Sequence, residues 1–504
     1  GHPEVDVERG VENTSGPLGQ GHVMALGAAL AERFMVARFG EWMAHKTYTF
    51  ISDGGIQEEI SQGAGRIAGH LGLSNLIMFY DSNDIQLSTG TDEVTTENTA
   101  MKYEAWGWNV LTITGNDTNQ IRTALTAAQN ETEKPTLIIG KTIMGKGAVT
   151  EAGDNFEGQC STHGQPLSGA GASFAKTIAN LGGDGENPFV IFDDVKELYA
   201  KREAALITAA AEKKAEQAKW EAANPELAAK MKAFYSNEIP AIDYSKIEQK
   251  AGIATRGASA AVLSVYANEV ENMVVSSADL SNSDKTDGFL KNTSAFKKGD
   301  FSGQFLQAGV CELTMACIMN GMALHGGIIP ACGTFFVFSD YMKPAARIAA
   351  LQEIPVKFIW THDAFRVGED GPTHQPVEHE AQIRLLEKLQ NHSHKNSMLV
   401  LRPADGNETT VAWKMALENV DTPTALILSR QGIKDVTTYE TAQGAVKGAY
   451  ILQDCEGTPD IILLASGSEV STLVAGAELL AKDGVKCRVV SVPSEGLFLS
   501  LIHI

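Results

Sequence analysis

The 504-residue chain has no uninterrupted apolar run near 18 residues, so no helical membrane span is expected. Proline is scarce, 16 against 48 glycines, which excludes a proline-rich scaffold and favours glycine turns between strands and helices. The six cysteines, at 160, 311, 317, 332, 455 and 487, form no CxxC pair and no metal-ligand spacing. A reduced thiol set in a cytoplasmic setting is the expectation. Basic residues are the minority, 41 against 62 acidic, for a net charge of -21. Such a surface repels nucleic acid and anionic lipid, and neither is expected as a partner. A negatively charged ligand would need a local cationic site or a metal. What is present, 43% hydrophobic and 20% charged residues, is ordinary for a globular protein. The length suggests roughly three or four domains. The chain opens GHPEVDVERG without a Met and closes SVPSEGLFLSLIHI just past an apparent strand, which reads as a fragment of a longer protein.

Apolar strand-like runs alternate with amphipathic stretches through the first 190 residues. TYTFIS (47–52), LIMFYD (76–81) and PTLIIGKTI (135–143) read as strands, and 22–39 and 57–72 as helices. That alternation predicts α/β architecture with doubly wound parallel sheets. Residues 195–238, rich in Ala, Lys and Glu, predict a helical connector broken at Asn224–Pro225. A second α/β unit follows, with strand signals at 271–280, 325–338, 355–363, 398–405 and 424–430. A third opens near 445, with strands at 459–469 and 486–494 around a helix at 470–482.

Five constellations could carry chemistry. Ser52-Asp53-Gly54 ends one strand and Asp81-Ser82-Asn83 ends the next, side by side at the carboxyl edge where open α/β sheets bind ligands. A carboxylate and an amide oxygen are hard donors suited to Mg²⁺ or Ca²⁺, which complete their shell with water and phosphate oxygens. GPLGQG (16–21) opens a helix and offers backbone N–H groups to an anion, although a plain helix entry reads equally well. Glu312 lies in an apolar run of small residues, where a carboxyl should be held protonated or serve in proton transfer. Thr334 to Phe338, with Tyr341, read as core aromatics in a strand or as a platform for a heteroaromatic ring. THDAFRVGEDGPTHQP (361–376) packs His362, Asp363, Glu369, Asp370 and His374 into one loop. Arg256 and Arg430, each beside a small polar residue, read as surface arginines or as a pair holding a phosphate.

In this order GHPE, GPLGQG, SDG…DSN, SADL, THD…GEDGPTHQP and ALILSRQ resemble the transketolase family over nearly the whole chain. SDG…DSN is also similar to the thiamine-diphosphate signature, GDG followed about thirty residues on by Asn, with Ser52 in place of the first Gly. The resemblance implies a thiamine-diphosphate-binding fold in two domains plus a truncated third. They would span 1–194 (diphosphate-binding), 246–440 (pyrimidine-binding) and 441–504, with a helical connector at 195–245. It implies thiamine diphosphate with Mg²⁺ (Ca²⁺ or Mn²⁺ as alternatives), sugar phosphate substrates and a homodimer whose active site lies at the interface. The implied activity is reversible transfer of a two-carbon ketol unit from xylulose 5-phosphate to ribose 5-phosphate or erythrose 4-phosphate, in the pentose phosphate pathway. Dihydroxyacetone synthase, 1-deoxyxylulose-5-phosphate synthase and an inactive fragment are the alternatives.

By the same resemblance Asp53, Asn83 and the Ile85 carbonyl would hold the metal. Gly16, Leu18, Gly54 and His163 would line the cofactor, with Glu58 near Glu312 across the dimer contact and Asp279 approaching the thiazolium. Glu312 would bind the pyrimidine, with Phe335, Phe338 and Tyr341 packed around it. His2 and His374 would bind donor hydroxyls and assist proton transfer, and Asp370 would read the hydroxyl configuration. Arg256, Ser283, His362 and Arg430 would grip the sugar phosphate. Cys160 stands where the family often has His, Glu59 where Gly is usual, and LSLIHI (499–504) matches no family segment.

Overall fold

The computed structural model describes residues 3–501. The chain divides into two compact units: residues 39–232 form one, and residues up to 38 together with those from 233 onward form the other.

The smaller unit is built on four parallel strands, β1 (Thr47–Ser52), β2 (Leu76–Ser82), β3 (Asn109–Thr114) and β4 (Thr136–Lys141), in the order β1-β2-β4-β3. The register pairs Ser52 with Asp81, so the two chemistry-bearing strand ends lie side by side as expected. β4 is apolar along its buried length, as a central strand covered on both faces should be. The 57–72 stretch is not one helix: the chain breaks at Glu58 (ψ 137°) between helices Asp53–Gln57 and Glu59–Leu71. The connector forms helices Asp193–Ala223 and Pro225–Tyr235, parted at Asn224 because Pro225 cannot donate a helical hydrogen bond.

The larger unit holds a six-stranded parallel sheet of β5 (Met273–Ser277), β6 (Phe305–Gln307), β7 (Ile329–Phe335), β8 (Lys357–Thr361), β9 (Leu399–Leu401) and β10 (Thr424–Leu428). The order is β6-β5-β7-β8-β10-β9. Its strands are buried on both faces, the pattern of a doubly wound sheet. The helix Glu312–His325 is apolar all round and buried from Thr314 to Met322. It crosses the helix Gln20–Phe39 backbone to backbone: a Cβ on Gly321 would fall 1.9 Å from the Met24 carbonyl oxygen, and one on Gly27 2.2 Å from that of Ile318. A third, small sheet runs β11-β13-β12, from β11 (Tyr450–Gln453), β12 (Ile461–Ala465) and β13 (Cys487–Ser491). β12 is parallel to β13 and β11 antiparallel.

One strand expectation changes with consequence. The 325–338 run is strand only to Phe335; Phe336–Phe338 is a 3₁₀ turn leading into the helix Ser339–Leu351. In a strand, residues 335 and 338 would point to opposite faces. The tight turn eclipses them instead, and their rings stack at 5.8 Å with 13° between planes.

Candidate active site

In the smaller unit Asp53 is the first residue of the helix Asp53–Gln57, whose N-cap Ser52 accepts from Gly55 N–H at 3.2 Å. Its carboxylate is buried, and both oxygens are already oriented. Oδ1 accepts from the Tyr80 hydroxyl at 2.6 Å, and Oδ2 from the N–H groups of Asn83 and Asp84 at 3.0 Å each. Burial pushes this carboxyl upward and the hydrogen bonds pull it back. The Asn83 amide oxygen accepts from Ile85 N–H at 3.0 Å, so Asp53, Asn83 and Ile85 form one hydrogen-bonded cluster. Asp84, between them, takes a left-handed backbone (φ 63°) and pairs with Lys141 at 2.9 Å. The oxygens of Asp53, Asn83 and Ile85 are hard donors that fit a small divalent cation. His163 is half-buried, and its Nδ1 is buried without a hydrogen-bond partner among the described residues, an atom that a bound cofactor could satisfy. Gly54 is half-buried and Glu58 exposed in this unit, and Cys160 begins a 3₁₀ turn three residues before His163. Gly16 and the exposed Leu18 belong to the larger unit, so the cofactor residues expected together divide between the two.

In the larger unit Glu312 begins the helix Glu312–His325. Burial raises its carboxyl above the usual range, against its own backbone N–H and the Thr334 hydroxyl. At the end of β7 and in the turn beyond it the aromatics converge. The Phe335 ring lies 3.8 Å from the His362 ring, and Phe338 lies 6.0 Å from Tyr341 and 5.4 Å from His374. Tyr341 is exposed, the open side of this cluster.

Next to it stands a cationic grip. Arg256, in the helix Thr255–Glu269, donates through Nη1 to the Ser283 carbonyl at 2.7 Å and its hydroxyl at 3.2 Å. The same Nη1 lies 3.3 Å from His362 Nε2. A guanidinium has no lone pair to offer, so Nε2 accepts, and Nδ1 carries the proton and donates to the Thr361 hydroxyl at 2.9 Å. Burial, then the charges of Arg256, Arg430 and His374, push the His362 imidazole down to about 3. Burial, and then the charge of neighbouring Arg430, lower the Arg256 guanidinium. Arg430 pairs with exposed Glu369 at 3.3 Å. Gly368 (φ 95°) gives it room, since a Cβ there would fall 2.8 Å from Nη1. Asp370 is exposed on the same loop, and Asp279, exposed past β5, takes φ 61°. His2 lies outside the described residues.

Partners outside the sequence motifs complete these clusters. Tyr80 orients Asp53, and Asp363 is fixed by Arg402 at 3.0 Å. The signal for the latter was an arginine inside the apolar strand-end LVLRPAD.

Three family models match in order along the chain. They describe the transketolase thiamine diphosphate binding domain (residues 1–240), the transketolase pyrimidine binding domain (251–435) and the transketolase-like C-terminal domain (448–500). The chain belongs to the transketolase family. A transketolase of Streptococcus pyogenes serotype M6 is 41% identical over 511 residues, covering 99% of this chain and 67% of that one. One of Geobacillus stearothermophilus is 40% identical, covering 98% and 73%. Among solved structures, a transketolase from Leishmania mexicana superposes with TM-score 0.89 at 36% identity, covering 99% of this chain and 72% of that one. A Pichia stipitis transketolase, described as a complex with sedoheptulose-7-phosphate, gives TM-score 0.87 at 34% identity, covering 97% and 72%. These relatives favour transketolase over the related synthases. The cofactor of this transketolase chain is thiamine diphosphate, and the reaction is transfer of a two-carbon ketol unit between sugars. A divalent metal is typical of the family, and the Asp53–Asn83–Ile85 oxygens fit one.

Proposed function

We propose that the chain transfers the ketol unit from xylulose 5-phosphate to ribose 5-phosphate or erythrose 4-phosphate. We place it as a cytoplasmic homodimer of the pentose phosphate pathway, with domains near 1–194, 246–440 and 441–504 around a connector at 195–245. The observation that carries the substrate reading is the convergence of Arg256, Ser283, His362 and Arg430 in a chain of net charge -21. Two guanidinium groups at the end of a sheet are a clamp for a phosphate dianion.

Thiamine diphosphate, when bound, supplies the electron sink that stabilises a two-carbon carbanion. The chain's own residues do the rest. Asp53, Asn83 and the Ile85 carbonyl would hold Mg²⁺, with Ca²⁺ or Mn²⁺ as substitutes. Gly16, Leu18, Gly54, Glu58, His163 and Asp279 would line the cofactor. Glu312, its carboxyl raised by burial, would hydrogen-bond the pyrimidine ring, and Phe335, Phe338 and Tyr341 would pack against it. His374 and His2 would bind donor hydroxyls and move protons, and Asp370 would select their configuration. The neutral His362 accepts from Arg256, which leaves that guanidinium aimed and charged for the phosphate.

A coupled assay with xylulose 5-phosphate and ribose 5-phosphate, with and without thiamine diphosphate and Mg²⁺, tests the reading. Turnover that depends on both additions is expected. Turnover that persists without either would overturn it.

A further inference from the structure

The loop carrying Asp370 and His374 begins after Asp363 and ends at the helix His379–Lys388, which contains Glu380. Both ends meet the same side chain. Arg402, one residue past β9 and buried, donates from Nε to Asp363 Oδ2 at 3.0 Å and places Nη1 3.4 Å from Glu380. Its remaining side-chain contacts come from the turn just past β12 and the helix Glu469–Lys482 that follows. Nη1 also donates to the Ser466 carbonyl and hydroxyl at 3.2 Å each, and Nη2 pairs with Glu469 at 2.6 Å. The backbones are joined as well: Gly467 N–H donates to the Arg402 carbonyl at 3.0 Å, and Arg402 N–H to that of Pro493 at 2.9 Å. Gly467 takes φ 59°, and a Cβ there would fall 2.7 Å from the guanidinium carbon.

We propose that Arg402 is a positioning residue that cinches the base of the 364–378 loop, and that residues 466–469, the turn after β12 and the start of the helix Glu469–Lys482, aim it. Asp363 directly follows His362, whose left-handed backbone (φ 63°) and ring contact with Phe335 at 3.8 Å depend on how that strand end is held. A loop of this length closed at one point is compact only while the closure holds. The turn after β12 therefore governs how well the loop and the phosphate grip are pre-formed. This rests on the reading of Arg256, His362 and Arg430 as phosphate ligands.

The test uses the full chain with Glu469→Gln and Gly467→Ala, neither a residue of the grip, and His362→Ala as reference. Calorimetry reads the Kd for ribose 5-phosphate, with ribose as the phosphate-free control, and hydrogen exchange reads the amides of 364–378. Both distant variants should weaken ribose 5-phosphate ~10-fold, leave ribose unaffected and speed exchange across the loop. Unchanged Kd and exchange in both, with His362→Ala weakened, would overturn the positioning role and leave the phosphate reading standing. If His362→Ala binds as the parent does, the phosphate reading fails and takes this inference with it. Should Gly467→Ala fail to fold, Glu469→Gln, which exchanges a single oxygen for nitrogen, decides alone.

Discussion

At the scale of single residues the site works by holding protons in unusual places. Glu312→Gln keeps the size of the side chain but removes the acid, and kcat should fall about 10²–10⁴-fold with the thermal midpoint nearly unchanged. Steady-state kinetics with melting curves check this. The His362 imidazole, down at about 3 against an ordinary 6.5, should stay neutral from pH 8 to pH 5, so its NMR signals should not move over that range. Its folded-state value is depressed, so between about pH 3 and 6.5 the unfolded chain binds a proton that the folded chain does not. Stability therefore rises with pH from about 3 to 6.5 and is lost on acidification, and His362→Gln should flatten that slope in denaturant titrations.

Elements were legible in the sequence where periodicity was strong, and the failures have physical causes. The apolar runs of β2, β5, β8 and β10 read directly as buried parallel strands, and β1 reads as a strand although Tyr48 and Phe50 on it are exposed. β3 and β6 did not. NVLTIT (109–114) alternates weakly at a sheet edge, and FLQ (305–307) is too short to carry a period. The Phe335–Phe338 stack was invisible because aromatics in a row look like strand, and only the turn brings the rings together. Motif residues such as Asp53, Arg256 and Arg430 stood out through charge or glycine context. Tyr80 and Arg402, deep in apolar strand ends, act through pairings more than 25 residues away that no local pattern encodes. The crossing of helices 20–39 and 312–325 belongs to the same scale. Gly321→Ala drives a methyl into the Met24 carbonyl and should cost ~3 kcal/mol of stability, measured by chemical denaturation.

At the scale of the whole molecule, two linkages can be measured. The first is metal to cofactor: chelation with EDTA, or Asp53→Ala, should release thiamine diphosphate on a desalting column, and adding Mg²⁺ back should restore retention only in the parent. The second joins the third sheet to the six-stranded one. Glu408, in the helix Gly406–Glu418, is fully buried and accepts from the Tyr450 and Ser491 hydroxyls at 2.8 Å each. Burial pushes its carboxyl up to about 7. The folded chain therefore holds a proton that the unfolded chain releases from about 4.5 upward, and stability falls as pH rises through 7. Glu408→Gln should remove that fall in midpoint-versus-pH curves. A last consequence follows from the backbone. Asp84, Asp279 and His362 are non-glycine residues at positive φ, each just beyond the carboxyl end of a parallel strand. Glycine at the exposed Asp84 or Asp279 would relax the chain, whereas at buried His362 the lost ring would leave a cavity, so selection for heat resistance alone should drift toward glycine at the two aspartates. The resulting proteins would outlast the parent and turn over more slowly, which makes these two positions the ones to hold constant in any campaign of laboratory evolution.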